Sequence, residues 1–332
     1  MDFSIIIPSR NRPALMEEAL RSVLAQDHSS KEIIIVNDGS DDVFLPQYEA
    51  ITARYGAHIN VVNLEKTLRG HGPSYAINRG AEQAQGEFLC FLDDDDSWSD
   101  IQHLGRAHSA ITNNSAKVDL YISNQKAYIR EQAVNECLWL ESLAHTIQTH
   151  GRLDAQGAYG VTVDLLMTSS SFPHLNNTIV RRALFSSISG MDEGIRYECE
   201  WDLYFRIVDC AKGILYFPGF TSRHNVPNAV EKSNVSTAVS STEKLRSRLS
   251  VMNKALLFTN QPSIQRAARK IKTYTIKRLA EELARQQRYR LAFHFACEAL
   301  SLGFNMKWLG YCIYLGLRST SSHEASCGLP NI

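Results

Sequence analysis

The sequence predicts an α/β protein, with an open, mostly parallel β-sheet flanked by helices and a C-terminal helical extension. In residues 1–242, short runs rich in Ile and Val alternate with helix-like stretches, the pattern of βαβ units. Beyond them, Ala, Leu and Arg recur at spacings of three and four, as on amphipathic helices. We therefore predict two domains, 1–242 and 243–332.

The elements of the first domain follow in order along the chain. Asn11 is placed to cap the first helix, and Pro13 suits its first turn. Residues 125–170 lack a clear period and predict irregular structure, and the polar mixture at 233–242 predicts a linker. The predicted strands are 3–8, 31–37, 59–63, 87–92, 118–123, 177–180 and 214–217, and the predicted helices are 13–26, 42–55, 73–85, 99–112 and 200–212.

Charge is divided unevenly between the two domains. Residues 1–242 hold 20 basic and 30 acidic residues, whereas residues 243–318 hold 15 basic and 4 acidic ones. A basic extension of this kind is attracted to phospholipid headgroups, to nucleic acid or to the acidic first domain.

The remaining bulk features favour a cytoplasmic protein. Seven cysteines are scattered without a Cys-x-x-Cys pair, which argues against a zinc ribbon or a dithiol redox site. The chain opens on a strand-like run instead of a secretory signal. No apolar run reaches the roughly 18 to 20 residues that a membrane-spanning helix needs. We expect a cytoplasmic location, with possible peripheral attachment to the inner face of the membrane.

Four consecutive carboxylates, Asp93 to Asp96, directly follow an apolar strand. Placing like charges together is costly unless a cation neutralises them, and Mg²⁺ or Mn²⁺ bound to a diphosphate would do so. The plain alternative is a solvated acidic turn that caps the next helix. A second carboxylate, Asp38, follows the strand at 31–37, where it could accept a hydrogen bond from a base or ribose, or simply form an Asp-Gly turn with Gly39.

These features together resemble the inverting glycosyltransferases of family two, which have the GT-A fold, and in particular those that build bacterial polysaccharides or cell-envelope glycans. The resemblance covers about residues 3 to 230. The matching segments occur in the family's order and are 5–12, 36–40, 72–80, 86–88 and 92–96.

The resemblance implies a role for individual residues. It places Pro8 and Arg10 along the nucleotide pocket, Asp38 at the base and Asp93 near the ribose. It implies that Asp95 binds a divalent metal ion, Mn²⁺ or Mg²⁺, and that His224 completes the metal shell or touches the diphosphate. The implied nucleotide-sugar contacts are Pro8, Arg10, Asp38, Asn78, Asp93 and Asp94, with Asp94 directed at the donor sugar.

The catalytic base is expected just before Trp201. Relatives often carry Glu-Asp before the Trp-Asp-Leu that occurs here at 201–203, with that Asp as the base. In this chain Cys199 and Glu200 occupy the two positions, so Glu200 inherits the role. Asp202 is expected only to charge the first turn of the helix. His174 lies where relatives build the acceptor side, although a lone histidine is a weak signal.

The implied function is transfer of a hexose from a nucleotide-diphosphate donor, a UDP-sugar by preference, to a hydroxyl of a glycan or lipid-linked acceptor. A metal-dependent nucleotidyltransferase is the alternative enzyme, but 9–13 is not the Gly-rich phosphate loop that it would need. A sugar-nucleotide binder without catalysis is a further alternative. No nucleic acid is expected as a partner, because the basic extension has no recognisable RNA or helix-turn-helix motif.

The end of the extension offers two interpretations. Residues 306–318 are too short to cross a bilayer but are rich in aromatic residues bounded by cations, which suits a membrane interface. The same spacing is also typical of helices that form a core, pack on the first domain or make a dimer.

Overall fold

A computed structural model of the chain describes residues 1–56, 59–136, 138–150, 152–226, 237 and 239–321. Contacts divide the chain into two units, one of residues 1–238 with 259–264 and one of residues 239–258 with 265–332. The predicted domain limits at 242 and 243 remain a prediction. Half of the predicted linker, residues 233–236 and 238, lies outside the described residues.

The first unit alternates strands and helices. Its strands are β1 (Phe3–Ser9), β2 (Lys31–Asn37), β3 (Ile59–Asn63), β4 (Phe88–Phe91), β5 (Ser97–Trp98), β6 (Leu120–Ile129), β7 (Gln132–Ala133), β8 (Arg152–Leu153), β9 (Tyr159–Gly160), β10 (Thr178–Arg181) and β11 (Ile214–Asn225). Its helices are α1 (Pro13–Leu24), α2 (Leu45–Tyr55), α3 (Pro73–Gln83), α4 (His103–Thr112), α5 (Glu141–His150), α6 (Val163–Leu166), α7 (Arg182–Ser187) and α8 (Cys199–Cys210), with a 3₁₀ turn at Leu175–Asn177.

The described strands form one mixed sheet. Its main order is β3-β2-β1-β4-β10-β6-β11-β9-β8. Strands β3, β2, β1 and β4 are parallel neighbours, whereas β10 runs antiparallel to both β4 and β6. Because β1, β2 and β4 are parallel, the polar segments that follow them meet at one edge of the sheet. That edge is where ligands bind in open α/β sheets.

The central strands are buried on both faces, which explains their unbroken Ile and Val runs. Ile5 and Ile7 pack on one face with Met16 of α1 and Leu104 of α4. On the other face, a Cβ on Gly80 of α3 would lie 2.6 Å from Cγ2 of Ile6. The absence of a side chain at this glycine therefore permits α3 to pack closely on the sheet.

The expectation of irregular structure over 125–170 is wrong in part, because β6 continues to Ile129 and α5 is a regular helix. Polar residues interrupt the apolar pattern in β6, yet they are buried and hydrogen-bonded. Asn124 Nδ2 donates to Tyr216 Oη at 2.6 Å, and Gln125 Oε1 accepts from Ser222 Oγ at 3.1 Å. Buried polar side chains with such hydrogen bonds are compatible with a buried strand, although Asn124 Oδ1 and Gln125 Nε2 have no hydrogen-bond partner among the described residues.

The second unit is helical. Its helices are α9 (Ser241–Phe258), α10 (Pro262–Arg285, whose first three residues belong to the first unit), α11 (Tyr289–Leu302) and α12 (Met306–Ser321). Trp308 is buried in this unit's own core, and its Nε1 donates to the carbonyl oxygen of Ala296 at 2.9 Å. Of the two interpretations of residues 306–318, the helical core therefore applies to Trp308. Among the described helices, none combines the length and apolar character needed to cross a bilayer.

Candidate active site

Asp38 organises the loop beside the end of β2. Its two carboxylate oxygens accept hydrogen bonds from the backbone N–H groups of His71 and Gly72 at 2.8 and 2.9 Å. Gly70 adopts a φ of +66°, and a Cβ there would lie 2.6 Å from Asp38 Oδ2. The close approach explains the glycine and fixes a nearly buried carboxylate at the ligand edge.

Pro8 and Arg10 lie next to Asp38, because Pro8 of β1 pairs in register with Val36 of β2. Pro8 and Arg10 are both half-buried. The Arg10 guanidinium donates to the carbonyl oxygen of Thr67 at 3.3 Å. The structure therefore brings three of the predicted nucleotide contacts, Pro8, Arg10 and Asp38, together on one wall of the edge.

Arg12 pairs with two of the four consecutive aspartates. Its guanidinium lies 2.6 Å from Asp94 Oδ1 and 3.0 Å from Asp95 Oδ2. Burial raises the pKa of Asp94 to about 7, although Arg12 acts in the opposite direction. Asp94 is directed into the protein toward Arg12, an arrangement that favours a structural role over the predicted contact with the donor sugar. Arg12 was not predicted, and its only signal is its position just after β1.

Asp96 is an anchor for the chain around the site. Its Oδ2 accepts from Asn176 Nδ2 at 2.6 Å and from His224 Nδ1 at 2.8 Å, and its Oδ1 accepts from the Asn225 backbone N–H at 2.7 Å. Burial alone would raise the pKa of Asp96, but the hydrogen bond from His224 lowers it. The same bond raises the pKa of His224 against the effect of burial.

The bond to Asp96 is compatible with the predicted role of His224 as a metal ligand. Histidines that bind metals almost always donate their second ring N–H to a carboxylate or carbonyl, which fixes the tautomer and the ring plane. In His224 the Nδ1 atom makes this bond, so Nε2 is the nitrogen left for a ligand. The edge of the Trp139 indole packs against the ring, with centroids 5.3 Å apart, and holds it from the other side.

His174 lies between the catalytic candidates. Its Nδ1 accepts from the Asn176 backbone N–H at 3.3 Å, so its proton is on Nε2. Nε2 lies 3.5 Å from Glu200 Oε1 and 3.8 Å from Asp93 Oδ2. Burial lowers the pKa of His174 and favours the neutral ring. The residue therefore links the predicted base to the acidic run.

Glu200 is the second residue of α8, where its Oε1 accepts from the Leu175 backbone N–H at 3.0 Å. Burial raises its pKa to about 7. A carboxylate with a raised pKa is a stronger base than an exposed one and suits proton abstraction near neutral pH. By contrast, Asp202 is buried and forms an ion pair with Arg206. Its Oδ2 lies 2.7 Å from Arg206 Nη2 and accepts a hydrogen bond from Arg206 Nε at 2.8 Å.

The acidic run fits a divalent cation. One carboxylate oxygen from each of Asp93, Asp95 and Asp96 lies within 4.8 Å of the other two. Burial and the neighbouring carboxylates raise the pKa of Asp93, against the effect of His174. Asp96 already accepts three hydrogen bonds, so Asp93 and Asp95 are the members of this group that suit a metal best, and His224 lies beside the group through its bond to Asp96. Carboxylate oxygens suit Mn²⁺ and Mg²⁺, and an imidazole suits Mn²⁺ better.

Asn78 lies elsewhere on the unit. Its Nδ2 donates to the carbonyl oxygen of Met191 at 2.9 Å and to Glu193 Oε1 at 2.8 Å, and its Oδ1 accepts from the Met191 N–H. The amide therefore fastens α3 to the segment that precedes α8. The prediction that Asn78 contacts the nucleotide sugar gains no support from this arrangement.

Besides Arg12, three residues near the site were not predicted from the sequence. Asn176 lies just before β10, Trp139 lies in the segment expected to be irregular, and Asn225 ends β11. Asn176 Oδ1 also accepts the Asp93 backbone N–H at 3.0 Å. Their roles depend on distant partners, so a local pattern does not reveal them.

Comparison with known proteins identifies the segment that carries this edge. Residues 4–164 match the model of the glycosyl transferase family 2. The chain carries a glycosyltransferase family 2 domain. This domain includes the acidic run and the wall formed by Pro8, Arg10 and Asp38, and the match ends before Glu200 and His224.

The relatives are bacterial glycosyltransferases. The chain is 43% identical over 98 residues to a putative teichuronic acid biosynthesis glycosyltransferase of Bacillus subtilis, TuaG, covering 29% of this chain and 36% of that protein. It is 27% identical over 207 residues to an uncharacterized glycosyltransferase of Rickettsia typhi, covering 62% and 58%. The chain thus spans less than two thirds of the length of these relatives.

Solved structures show the fold. TarS of S. aureus superposes with a TM-score of 0.63 at 16% identity, covering 97% of this chain and 54% of TarS. The mannosyltransferase PcManGT of Pyrobaculum calidifontis, solved with GDP-Man and Mn²⁺, gives 0.57 at 15% identity, covering 96% and 86%. At such identities the likeness concerns the fold alone, and it confirms the predicted GT-A architecture.

Proposed function

We propose that the protein is a metal-dependent inverting glycosyltransferase that moves a hexose from a nucleotide-diphosphate donor, with a UDP-sugar as the first candidate, to a hydroxyl group. The observation that carries the proposal is the position of His174, which faces both Glu200 and Asp93. A base candidate and the acidic run therefore approach one point at the ligand edge of a family 2 domain.

The wall formed by Pro8, Arg10 and Asp38 would bind the nucleotide. Asp38 is held by two backbone N–H groups, which fix its carboxylate in place for a base or ribose donor. A TarS structure contains UDP-GlcNAc and the PcManGT structure contains GDP-Man, which supports a nucleotide-sugar donor for this fold.

Asp95, Asp93 and the Nε2 atom of His224 would hold the divalent cation. When bound, Mn²⁺ or Mg²⁺ offsets the negative charge that develops on the departing diphosphate. The chain's own contribution is to hold these ligands in place before the donor arrives. Arg12 positions Asp95, and Asp96 positions His224.

Glu200 would remove the proton from the acceptor hydroxyl. As the proton moves to the carboxylate, the acceptor oxygen bonds to the anomeric carbon and the bond from that carbon to the diphosphate oxygen breaks. A single displacement of this kind inverts the anomeric configuration and needs no carboxylate nucleophile. The Nε2–H of His174 keeps Glu200 oriented, and burial gives Glu200 its raised pKa.

A glycan or lipid-linked glycan is the proposed acceptor. One relative, 37% identical over 98 residues, is the GalNAc(5)-diNAcBac-PP-undecaprenol beta-1,3-glucosyltransferase of Campylobacter jejuni, and the match covers 28% of this chain and 29% of that protein. An acceptor of this kind would place the protein at the inner face of the cell membrane. The exposed basic residues of the second unit suit such a surface.

The test is a panel of UDP- and GDP-sugars assayed with Mn²⁺ for nucleotide release, with and without lipid-linked glycans. We expect acceptor-dependent release from one donor, and a product of inverted configuration by NMR. Retention of configuration would refute the single displacement. Pyrophosphate release from a nucleoside triphosphate and a sugar phosphate, without transfer from any nucleotide sugar, would identify a nucleotidyltransferase.

A further inference from the structure

A second group of metal-ligating side chains lies at the opposite end of the sheet from the active site. Asp2 precedes β1, His28 lies between α1 and β2, and His108 is on α4. One ligand atom from each lies within 4.8 Å of the other two. The length of β1, about 20 Å, separates them from the carboxyl-end edge.

The three side chains are held in place by the fold. The rings of His28 and His108 have centroids 4.7 Å apart, and both meet the buried ring of Phe3 edge-on, at 5.2 and 6.3 Å. The exposed fractions of the side chains are 34% for Asp2, 15% for His28 and 36% for His108. An ion could therefore enter from solvent without opening the core.

The distances fit a tetrahedral ion. Zn²⁺ binds His nitrogen and carboxylate oxygen at about 2.0 to 2.1 Å, so neighbouring ligand atoms in a tetrahedron lie about 3.3 Å apart. Asp2 Oδ2 lies 2.9 Å from His28 Nε2 and 3.6 Å from His108 Nε2, on either side of that value. Shifts of a few tenths of an ångström would bring both of these distances to that value.

We propose that Asp2, His28 and His108 bind a zinc-class ion at a site separate from the active site, with water as the fourth ligand. Two imidazoles and one carboxylate suit Zn²⁺, whereas Mg²⁺ and Mn²⁺ prefer oxygen-rich sites such as the acidic run. The ligands come from three segments of the chain that meet only in the folded unit. Binding would therefore stabilise the first unit.

The surroundings are compatible with this site. Asp2 Oδ2 is 2.9 Å from His28 Nε2, and the Asp2 backbone N–H donates to Ser30 Oγ at 3.2 Å, which holds this segment in place. The cation in this segment, Lys31, directs its ammonium to the carbonyl oxygens of Gln26 and His28, at 3.1 and 2.6 Å.

The test uses the untagged full-length protein after treatment with a chelator. His174 and His224 of the candidate active site could also bind Zn²⁺. The titration is therefore run in wild type and in an H174Q/H224Q background. We expect each to bind Zn²⁺ at this site, with a rise in Tm, and Co²⁺ to give the intense visible bands of a four-coordinate ion. Adding H28Q/H108Q should lower zinc affinity at least about tenfold and remove the Tm rise. H294Q, at an exposed histidine of α11, is the matched control and should change neither.

Three outcomes would overturn the proposal. These are equal zinc affinity with and without H28Q/H108Q, a weak Co²⁺ spectrum typical of six-coordination, and binding of Mn²⁺ as strong as that of Zn²⁺. If H28Q/H108Q does not fold, Asp2→Asn removes the charged ligand at constant size and must show the same loss of affinity. The Co²⁺ spectrum of the H174Q/H224Q protein also tests the site without any change to the three ligands.

Discussion

The two units carry charge in opposite ways. In the first unit, the carboxylates of Asp94, Asp96 and Asp202 are almost fully buried, and they are paired with Arg12, His224 and Arg206, respectively. In the second unit, Arg266, Arg269 and Lys270 are exposed on α10. A buried charge that loses its partner costs several kcal/mol, whereas an exposed charge contributes about 1 kcal/mol or less. Replacing a single buried, paired residue should therefore impair the first unit strongly. Replacing a single exposed cation of the second unit should have only a small effect.

The largest expected effect is at Asp95. Replacing it with alanine removes a metal ligand that offsets diphosphate charge, a contribution of several kcal/mol, so Asp95→Ala should lower turnover by about 10³-fold or more. The measurement is nucleotide release with Mn²⁺ across a range of metal concentrations. Glu49→Ala, at an exposed acidic residue of α2, is the control and should keep the normal rate. Normal turnover of Asp95→Ala in the presence of chelator would show that no metal acts at this residue.

The next effect is at Glu200. Glu200→Gln keeps the shape of the side chain but cannot accept a proton, so kcat should fall by about 10²-fold with little change in donor affinity. Glu200→Asp restores the residue that relatives carry and should recover part of the rate.

Asp202 is the matched acidic residue on the same helix. Because it is bound to Arg206 inside the protein, Asp202→Asn should lower Tm while the folded fraction retains most of its rate. A near-normal kcat for Glu200→Gln, together with a collapse for Asp202→Asn at normal Tm, would transfer the base role to Asp202.

The fold of the first unit could be predicted from local pattern because its strands are buried on both faces and its helices are amphipathic. β2, β3 and the start of α3 match the predicted limits. The second unit was predicted as helical, but not which residues form its core. Trp308 looked interfacial in the sequence, and only its bond to Ala296 shows that it packs inside.

Sequence motifs alone predicted which residues lie near the candidate site. They predicted less well the residues whose role depends on an ion pair or hydrogen bond to a distant residue. Asp38 and the acidic run were singled out from their positions after strands, and the structure has both at the ligand edge of the sheet. The partners Arg12 and Asn176 were missed because each acts on an aspartate about 80 residues away in the chain. Asn78 shows the converse, since its motif matches the family while its amide holds a neighbouring segment. The order of the motifs along the chain identifies the ligand edge of the sheet. The hydrogen bonds and ion pairs of each side chain then determine what that residue can do.

A smaller effect is expected from pH. Burial raises the pKa of Glu200 to about 7, so below that pH its neutral form, which cannot act as a base, predominates. We expect kcat/KM to rise with pH up to a plateau, with an apparent pKa no higher than about 7, since a bound cation lowers the pKa of nearby carboxyl groups. One unit below the pKa, the rate should be about tenfold lower than on the plateau. Glu200→Gln should lose this dependence, and a profile unchanged by that substitution would exclude Glu200 as the titrating base.

The smallest effect is expected in the second unit, where we predict binding to anionic membranes. A cation near an anionic surface contributes about 1 kcal/mol, so replacing one exposed cation should weaken vesicle binding about fivefold. Arg269→Gln on α10 is the test, and Arg54→Gln, at an exposed arginine of the first unit, is the matched control.

The measurement is co-sedimentation of the full-length protein with anionic and neutral vesicles at low and high salt. Salt should remove the binding, because screening beyond about 10 Å is strong at 0.1 M ionic strength. Trp308 packs inside the second unit, so the large apolar side chains that α12 exposes, Met306, Ile313, Tyr314 and Leu317, are the ones that could add to the attraction. If full-length protein ignores anionic vesicles at low salt, or if Arg54→Gln weakens binding as much as Arg269→Gln, the basic face of α10 has no specific role at a membrane, and its charges serve solubility or another partner.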